Sequence, residues 1–230
     1  MSWTVITEKG PFMLPANLKS VRVESIREIA PQVFIIEFKK FFDFEAGQII
    51  SLSLSEHLEP RMYSIASGER DNNIQVLFNV VNDGHLTPAL SCLKPGDAIW
   101  SSPGFGKFTG TCGEAWWIAQ GTGIAPFASM FRSGQSASKT LIHGGRHADS
   151  FYFSDEFGPV LNDHYVKCCT KEALPGGFRG RVTDYLEQLS ALSPDPLYYL
   201  CGSSEMVVES RDILIKRGVP FRKIVGEIYF

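Results

Sequence analysis

The sequence predicts two domains in succession: an antiparallel β-barrel, then an α/β domain built on a parallel sheet. Three observations predict it. Up to about residue 101 the chain offers short strand-like runs at close spacing with no long helical period, the pattern of an antiparallel barrel or sandwich. From Ala115 onward strand-like and helical runs alternate, which implies a parallel sheet covered on both faces. Around Trp116–Phe131 an apolar run, a glycine turn and an apolar helix follow one another, and such a helix N-terminus attracts a pyrophosphate. The change of pattern divides the chain into residues 1–111 and 112–230.

Composition narrows the classes. With 44% hydrophobic and 12% aromatic residues over 230 positions, the chain can build a real core. The formal net charge is −3 and no Lys/Arg run dominates, which argues against nucleic acid and membrane surfaces as partners. No apolar run is long enough to span a bilayer, and the N-terminus lacks a basic stretch followed by an apolar one. The expectation is a cytoplasmic protein. The five cysteines, Cys92, Cys112, Cys168, Cys169 and Cys201, are odd in number and scattered, as reduced thiols are. No metal site is expected, since no CxxC or Cys/His cluster is present.

In the first domain, residues 1 to 17 read as an irregular lead-in. Val21–Ile26, Val33–Phe38, Gln48–Leu54 and Asn73–Val81 read as strands. Between the last two stands Arg61-Met62-Tyr63-Ser64. Arg61 offers a cationic fork suited to phosphate, Tyr63 a flat aromatic face, and Ser64 a short hydroxyl. Aimed together at a strand end, they suit a planar, phosphate-bearing ligand such as a flavin nucleotide. Asp83-Gly84 is a turn, and Thr87 before Pro88 reads as the N-cap of a short helix running to about Leu93. Ile99–Trp100 starts another strand.

In the second domain, Trp116–Ala119 leads to Gly121-Thr122-Gly123-Ile124-Ala125-Pro126. Pro126 stands where the standard dinucleotide fingerprint wants a third glycine, so this is not that motif, nor a P-loop, since no Lys-Ser/Thr follows; a Pro there fits the first turn of a helix. Thr140–Arg146, Tyr165–Lys171, Leu197–Gly202 and Ile224–Phe230 read as further strands. Ser154–Leu161, a run opening at Val182, and Glu205–Arg217, capped by Ser203 or Ser204, read as helices. The tip of Thr140–Arg146 carries an Arg and no acid, which suits a 2′-phosphate better than a free ribose.

Arg61–Ser64, Gly84-His85-Leu86-Thr87, Gly121–Pro126, Cys201-Gly202 and Glu227-Ile228-Tyr229-Phe230, in this order, resemble the ferredoxin–NADP reductase family, most of all its compact bacterial ferredoxin/flavodoxin reductases. The resemblance runs from about residue 20 to the end. It implies FAD in the barrel, NADP(H) on the α/β domain, and hydride transfer between nicotinamide C4 and flavin N5. It also implies ferredoxin or flavodoxin as a separate electron carrier. By the same resemblance Arg61, Met62, Tyr63, Ser64, Val80, Gly84, His85, Leu86, Thr87 and Thr122 surround the flavin, with Tyr229 and Phe230 over its other face. Gly121, Thr122, Gly123, Cys201, Gly202 and Met206 line the nicotinamide nucleotide, and Arg146, Lys171 and Arg181 surround its 2′-phosphate. Thr170-Lys171 replaces the more usual Ser-Arg. The catalytic set implied is Ser64, Cys201, Glu227 and Tyr229, with the terminal aromatic as a gate that swings aside for the nicotinamide. Two rivals stay open: a free-flavin or oxygenase reductase component, and a non-catalytic flavin-bound electron-transfer or redox-sensing subunit.

Overall fold

The computed structural model describes residues 17–229 and the backbone of Thr4–Val5. Among the described residues the strands are β1 (Thr4–Val5), β2 (Lys19–Ala30), β3 (Val33–Lys39), β4 (Ile49–Ser53), β5 (Arg61–Ser64), β6 (Asn73–Asn79), β7 (Ala98–Ser101), β8 (Ala115–Gln120), β9 (Lys139–Gly145), β10 (Tyr165–Cys169), β11 (Phe178–Arg179), β12 (Leu197–Ser203) and β13 (Ile224–Tyr229). The helices are α1 (Thr87–Ser91), α2 (Ala125–Arg132), α3 (Ser154–Leu161), α4 (Val182–Gln188) and α5 (Ser204–Lys216).

Strands β2 to β7 form a six-stranded antiparallel sheet in the order β5-β4-β7-β2-β3-β6. Its alternating inward residues, among them Val23, Ile36, Phe38, Ile50, Leu52, Ile74 and Val76, make one core. The edge strands curl together through a single bridge, Ile65 to Val76. The sheet is therefore barrel-like without a complete closing ladder. The β2–β3 hairpin turns at Gln32, a non-glycine residue at φ 61; its N–H is held by Glu28 Oε1 at 2.8 Å.

The second sheet has the order β1-β13-β12-β8-β9-β10-β11, and every pairing in it is parallel. Strand β8 lies at its centre. Successive strands run outward one way through β9 and β10, then resume on the other side with β12 and β13. That reversal makes the C-terminal ends of β8 and β12 a topological switch point, where such sheets hold ligands. Trp117 is fully buried on one face of β8, and Trp116 stacks near Tyr198 on the other at 5.6 Å. The run is core on both faces, as its sequence implied.

One core cluster joins the two sheets. Val33, Ile35 and Leu77 from the barrel pack with Trp117, Phe127, Met130 and Tyr199. Arg132 reinforces the junction. It donates to Glu156 at 2.8 and 2.5 Å, to the Ala66 carbonyl at 2.7 Å and to Gln75 at 2.8 Å. Among the described residues no helix is long and apolar enough to cross a membrane.

Three local expectations need correction. Thr87 is the first residue of α1, not its cap; Leu86 holds the cap position. The Thr87 hydroxyl accepts the Val81 N–H at 2.9 Å instead, because the turn through Gly84 folds Val81 back onto it. The helix also ends at Ser91, short of Leu93. Strand β11, two residues in a glycine-rich stretch, carried no periodic signal. The start of the chain, expected to be irregular, places Thr4–Val5 alongside Glu227–Ile228. The remaining lead-in and Phe230 lie outside the described residues.

Candidate active site

A cleft of about 1240 Å³ opens along the seam between barrel and parallel sheet. One half is walled by Arg61, Met62, Tyr63 and Ser64 of β5 together with Gly84, His85, Leu86 and Thr87. The other half is walled by Gln120, Gly121, Thr122, Arg146, Thr170, Arg181, Gly202, Ser203 and Met206, with Tyr229 at the junction. The structure thus brings both groups of sequence candidates to one cavity at the switch point. Val80 and Lys171 do not line it. Val80 packs on the barrel core, and the exposed Lys171 is tied through its backbone N–H to the Arg146 carbonyl at 3.0 Å.

Gly121 and Gly123 shape the β8 turn. Gly121 adopts φ +55 over open space, a conformation that suits glycine. A Cβ on Gly123 would stand 2.3 Å from the Cys201 carbonyl oxygen. The turn can settle on β12 only without a side chain there, so Gly123 is buried in the floor and not part of the lining. Beside it, Ser203 caps α5 by accepting the Met206 N–H at 3.3 Å and donates to Gln120 Oε1 at 2.7 Å. Gln120 is a cleft residue the sequence reading passed over. Its place as the last strand residue before the glycine turn was the available signal.

Beneath the cleft lies a hydrogen-bonded chain that crosses from one domain to the other. The Tyr229 hydroxyl donates to Ser64 Oγ at 2.5 Å, and Ser64 donates to Glu227 Oε1 at 2.7 Å. Cys201 faces Glu227 across the β12–β13 pair, its Sγ 3.9 Å from the same oxygen. Ser64, Cys201 and Glu227 are all buried, Glu227 to 1% exposure. A buried carboxyl without a cationic partner favours its neutral form. Burial pushes Glu227 up to about 8, against a smaller opposing pull from the Ser64 hydroxyl. Burial, then the neighbouring Glu227, raises the Cys201 thiol well above its usual value. Both groups hold their protons at neutral pH. Burial also raises the Tyr63 and Tyr229 phenols.

The cations differ in their availability. Arg61 meets the exposed Glu59 at 3.3 Å, a weak surface pair. Arg181 is held by Glu205 and Glu209 of α5 at 3.1 and 2.7 Å. Three cations of the barrel are also engaged: Arg22 with the Gly96 carbonyl, Lys40 with that of Glu69, and Arg27 with Glu37. His143 is fully buried with Nδ1 3.1 Å from the Tyr165 hydroxyl. Burial, aided by the Lys167 charge, lowers it to about 3.

A curled antiparallel sheet fused to a parallel one, with a hydrogen-bonded chain running from the shared cleft to the buried Glu227, is the arrangement of a two-domain oxidoreductase. Residues 117–212 match the family described as "Oxidoreductase NAD-binding domain". The chain is 30% identical over 210 residues to the "Probable dihydroorotate dehydrogenase B (NAD(+)), electron transfer subunit" of Methanopyrus kandleri, covering 90% of this chain and 76% of that one. It is 27% identical over 249 residues to the "Ferredoxin--NADP reductase" of Pseudomonas aeruginosa, covering 92% of this chain and 95% of that one. Its fold is like that of a ferredoxin NADP+ reductase from Neisseria gonorrhoeae, with a TM-score of 0.81 over 93% of this chain and 99% of that one at 22% identity. The chain belongs to the ferredoxin–NADP reductase family.

Proposed function

We propose that the protein is a flavin-dependent reductase that holds FAD against the barrel and passes electrons between NADPH and a one-electron protein carrier of the ferredoxin or flavodoxin kind. The observation that carries this reading is the Tyr229–Ser64–Glu227 chain, which places a protonated carboxyl one hydroxyl away from the cleft. The flavin half is residues 1–111 and the nucleotide half 112–230, with Thr4–Val5 reaching across to β13.

The residues present fit both groups. Tyr63 offers an aromatic wall, and Arg61, whose partner among the described residues is the exposed carboxylate of Glu59, can turn to a phosphate. The open Gly121 turn and the N-terminal end of α2 suit the nicotinamide nucleotide's pyrophosphate. When bound, the flavin supplies the exchange between a two-electron hydride and single electrons, which no side chain can do. The chain's own residues do the rest. Ser64 and Glu227 hold a proton and can relay it at Ser64 Oγ. Tyr229 stands at the junction of the two half-clefts and must turn aside for a nicotinamide to approach. Cys201 supports Glu227 from beneath as a protonated thiol. All five cysteines are free thiols, which supports a reducing, cytoplasmic setting.

A second reading, a flavin-bound electron-transfer subunit of a larger complex, is favoured by the pairing of Arg181 away from the cleft. An anaerobic visible spectrum, recorded before and after separate additions of NADPH and NADH, tests both. Rapid bleaching of a flavin band by NADPH, followed by cytochrome c reduction that depends on added ferredoxin or flavodoxin, is the result expected of the reductase. Bleaching without any carrier-dependent turnover points to the subunit. A colourless protein that takes up no FAD refutes the flavin site.

A further inference from the structure

Arg181 stands on a ridge. It borders the nucleotide cleft on one side and, on the other, a shallow groove along α4 and α5 lined by Glu187, Glu205, Glu209 and Asp212. Its guanidinium is committed to the groove side. Nη2 donates to Glu209 Oε2 at 2.7 Å and to Glu205 Oε1 at 3.1 Å, while Nη1 reaches Glu209 Oε1 at 3.4 Å. This two-pronged grip on Glu209 is the one a guanidinium makes with a phosphate. The Arg181 backbone N–H is fixed by Asp184 Oδ2 at 2.7 Å, so the side chain leaves from an anchored point. Arg146 differs. It lines the same cleft, and no carboxylate lies within ion-pair distance of it among the described residues.

Resting on the nucleotide site proposed above, we infer that Glu205 and Glu209 are specificity-determining residues: by holding Arg181 they disfavour nucleotides that carry a 2′-phosphate and leave those with a free 2′-hydroxyl unaffected. A phosphate that reaches Arg181 has two options. It displaces carboxylates that already occupy the same donors, or it settles beside them as a third anion. Both oppose binding. A ribose hydroxyl brings no charge and needs no cation. The side chains of Arg181, Glu205 and Glu209 are 44%, 78% and 40% exposed. Exposed pairs are individually weak, so the two carboxylates together bias binding by about three- to tenfold. Discrimination between the phosphorylated and unphosphorylated nucleotide is then narrow, and it widens when the carboxylates are neutralised.

The test is calorimetric binding of adenosine 2′,5′-bisphosphate and of 5′-AMP to the flavin-loaded full chain at low ionic strength. The proteins compared are the wild type, the double variant Glu205→Gln and Glu209→Gln, and that double variant with Arg181→Gln added. The double variant is expected to bind the bisphosphate about three- to tenfold more tightly, with 5′-AMP changed by less than about twofold. The gain should vanish when Arg181→Gln is added. The single variant Glu205→Gln, changed at an exposed position, should show a smaller gain in the same direction. Unchanged bisphosphate affinity overturns the inference. So does an equal gain for both ligands, or a gain that survives Arg181→Gln. If wild type binds 5′-AMP, the nucleotide site stands whatever the variants do. If no form binds either ligand, the nucleotide site falls and this inference falls with it.

Discussion

Glu227→Gln should change how stability depends on pH, in a window set by two buried groups. The folded Glu227 titrates at about 8 against an ordinary 4.5. The folded state therefore binds the carboxyl proton more tightly than the unfolded chain, and stability falls as pH rises through that interval. His143 works in the opposite sense. Its folded value of about 3 lies below the usual 6.5, so the unfolded chain binds the extra proton and stability rises with pH up to that point. Between 4.5 and 6.5 the two slopes oppose each other. Between 6.5 and 8 Glu227 acts without His143 against it. At about 1.4 kcal/mol per pH unit, the wild type should lose roughly 2 kcal/mol across that upper window. For a chain of this size that corresponds to about 4 to 8 °C in Tm. Glutamine keeps an acceptor for the Ser64 hydroxyl and does not titrate. The assay is thermal unfolding of wild type and Glu227→Gln in half-unit steps from pH 5 to 9, with flavin in excess. The expected result is a wild-type Tm that falls above pH 6.5 and a variant Tm that does not. Parallel profiles for the two proteins would refute the buried, protonated carboxyl and the proton-holding role built on it.

Three further outcomes follow from the same geometry. Arg61→Ala should weaken FAD binding by about tenfold, as expected for one charge-assisted phosphate contact that is partly exposed; quenching of flavin fluorescence on titration measures it. Removing Tyr229 and Phe230 should alter the KM for nucleotide and the choice between NADH and NADPH, and steady-state kinetics identical to wild type would refute the gate. Arg132→Leu should cost about 2 kcal/mol in urea unfolding, since it strands Glu156 and the Ala66 carbonyl; the figure is discounted from that of a fully buried pair because Glu156 is 40% exposed.

What the sequence made legible was whatever depends on neighbours in the chain. The β8 strand, its glycine turn and Pro126 in the first turn of α2 lie within a dozen residues, and local patterning is enough to write them down. Ser203 as the cap of α5 is equally local. Thr87 shows the limit of that logic: a hydroxyl ahead of a proline has the form of a cap, but a folded-back Val81 N–H claims it. Ser64 and Glu227 stand 163 residues apart. Each could be singled out, Ser64 from its tetrapeptide and Glu227 from the family resemblance. That they share a proton-bearing hydrogen bond follows only from the packing of β5 against β13.

Arg181 carries the point furthest. From sequence it is a cation following a glycine, ready for a phosphate. In the fold α5 lies beside α4, and two carboxylates one helical turn apart on α5 take it. Spacing on α5 shows that Glu205 and Glu209 share a face, but not which residue that face meets. A sequence motif therefore counts the charges around a nucleotide site. Only tertiary packing tells which of them are still available, and selectivity depends on the available ones. Among the described residues, Arg146 is the cation on the nucleotide side of this cleft with no carboxylate at ion-pair distance, so the discrimination between NADPH and NADH should rest chiefly on that side chain, with Arg181 contributing to the extent that α5 releases it.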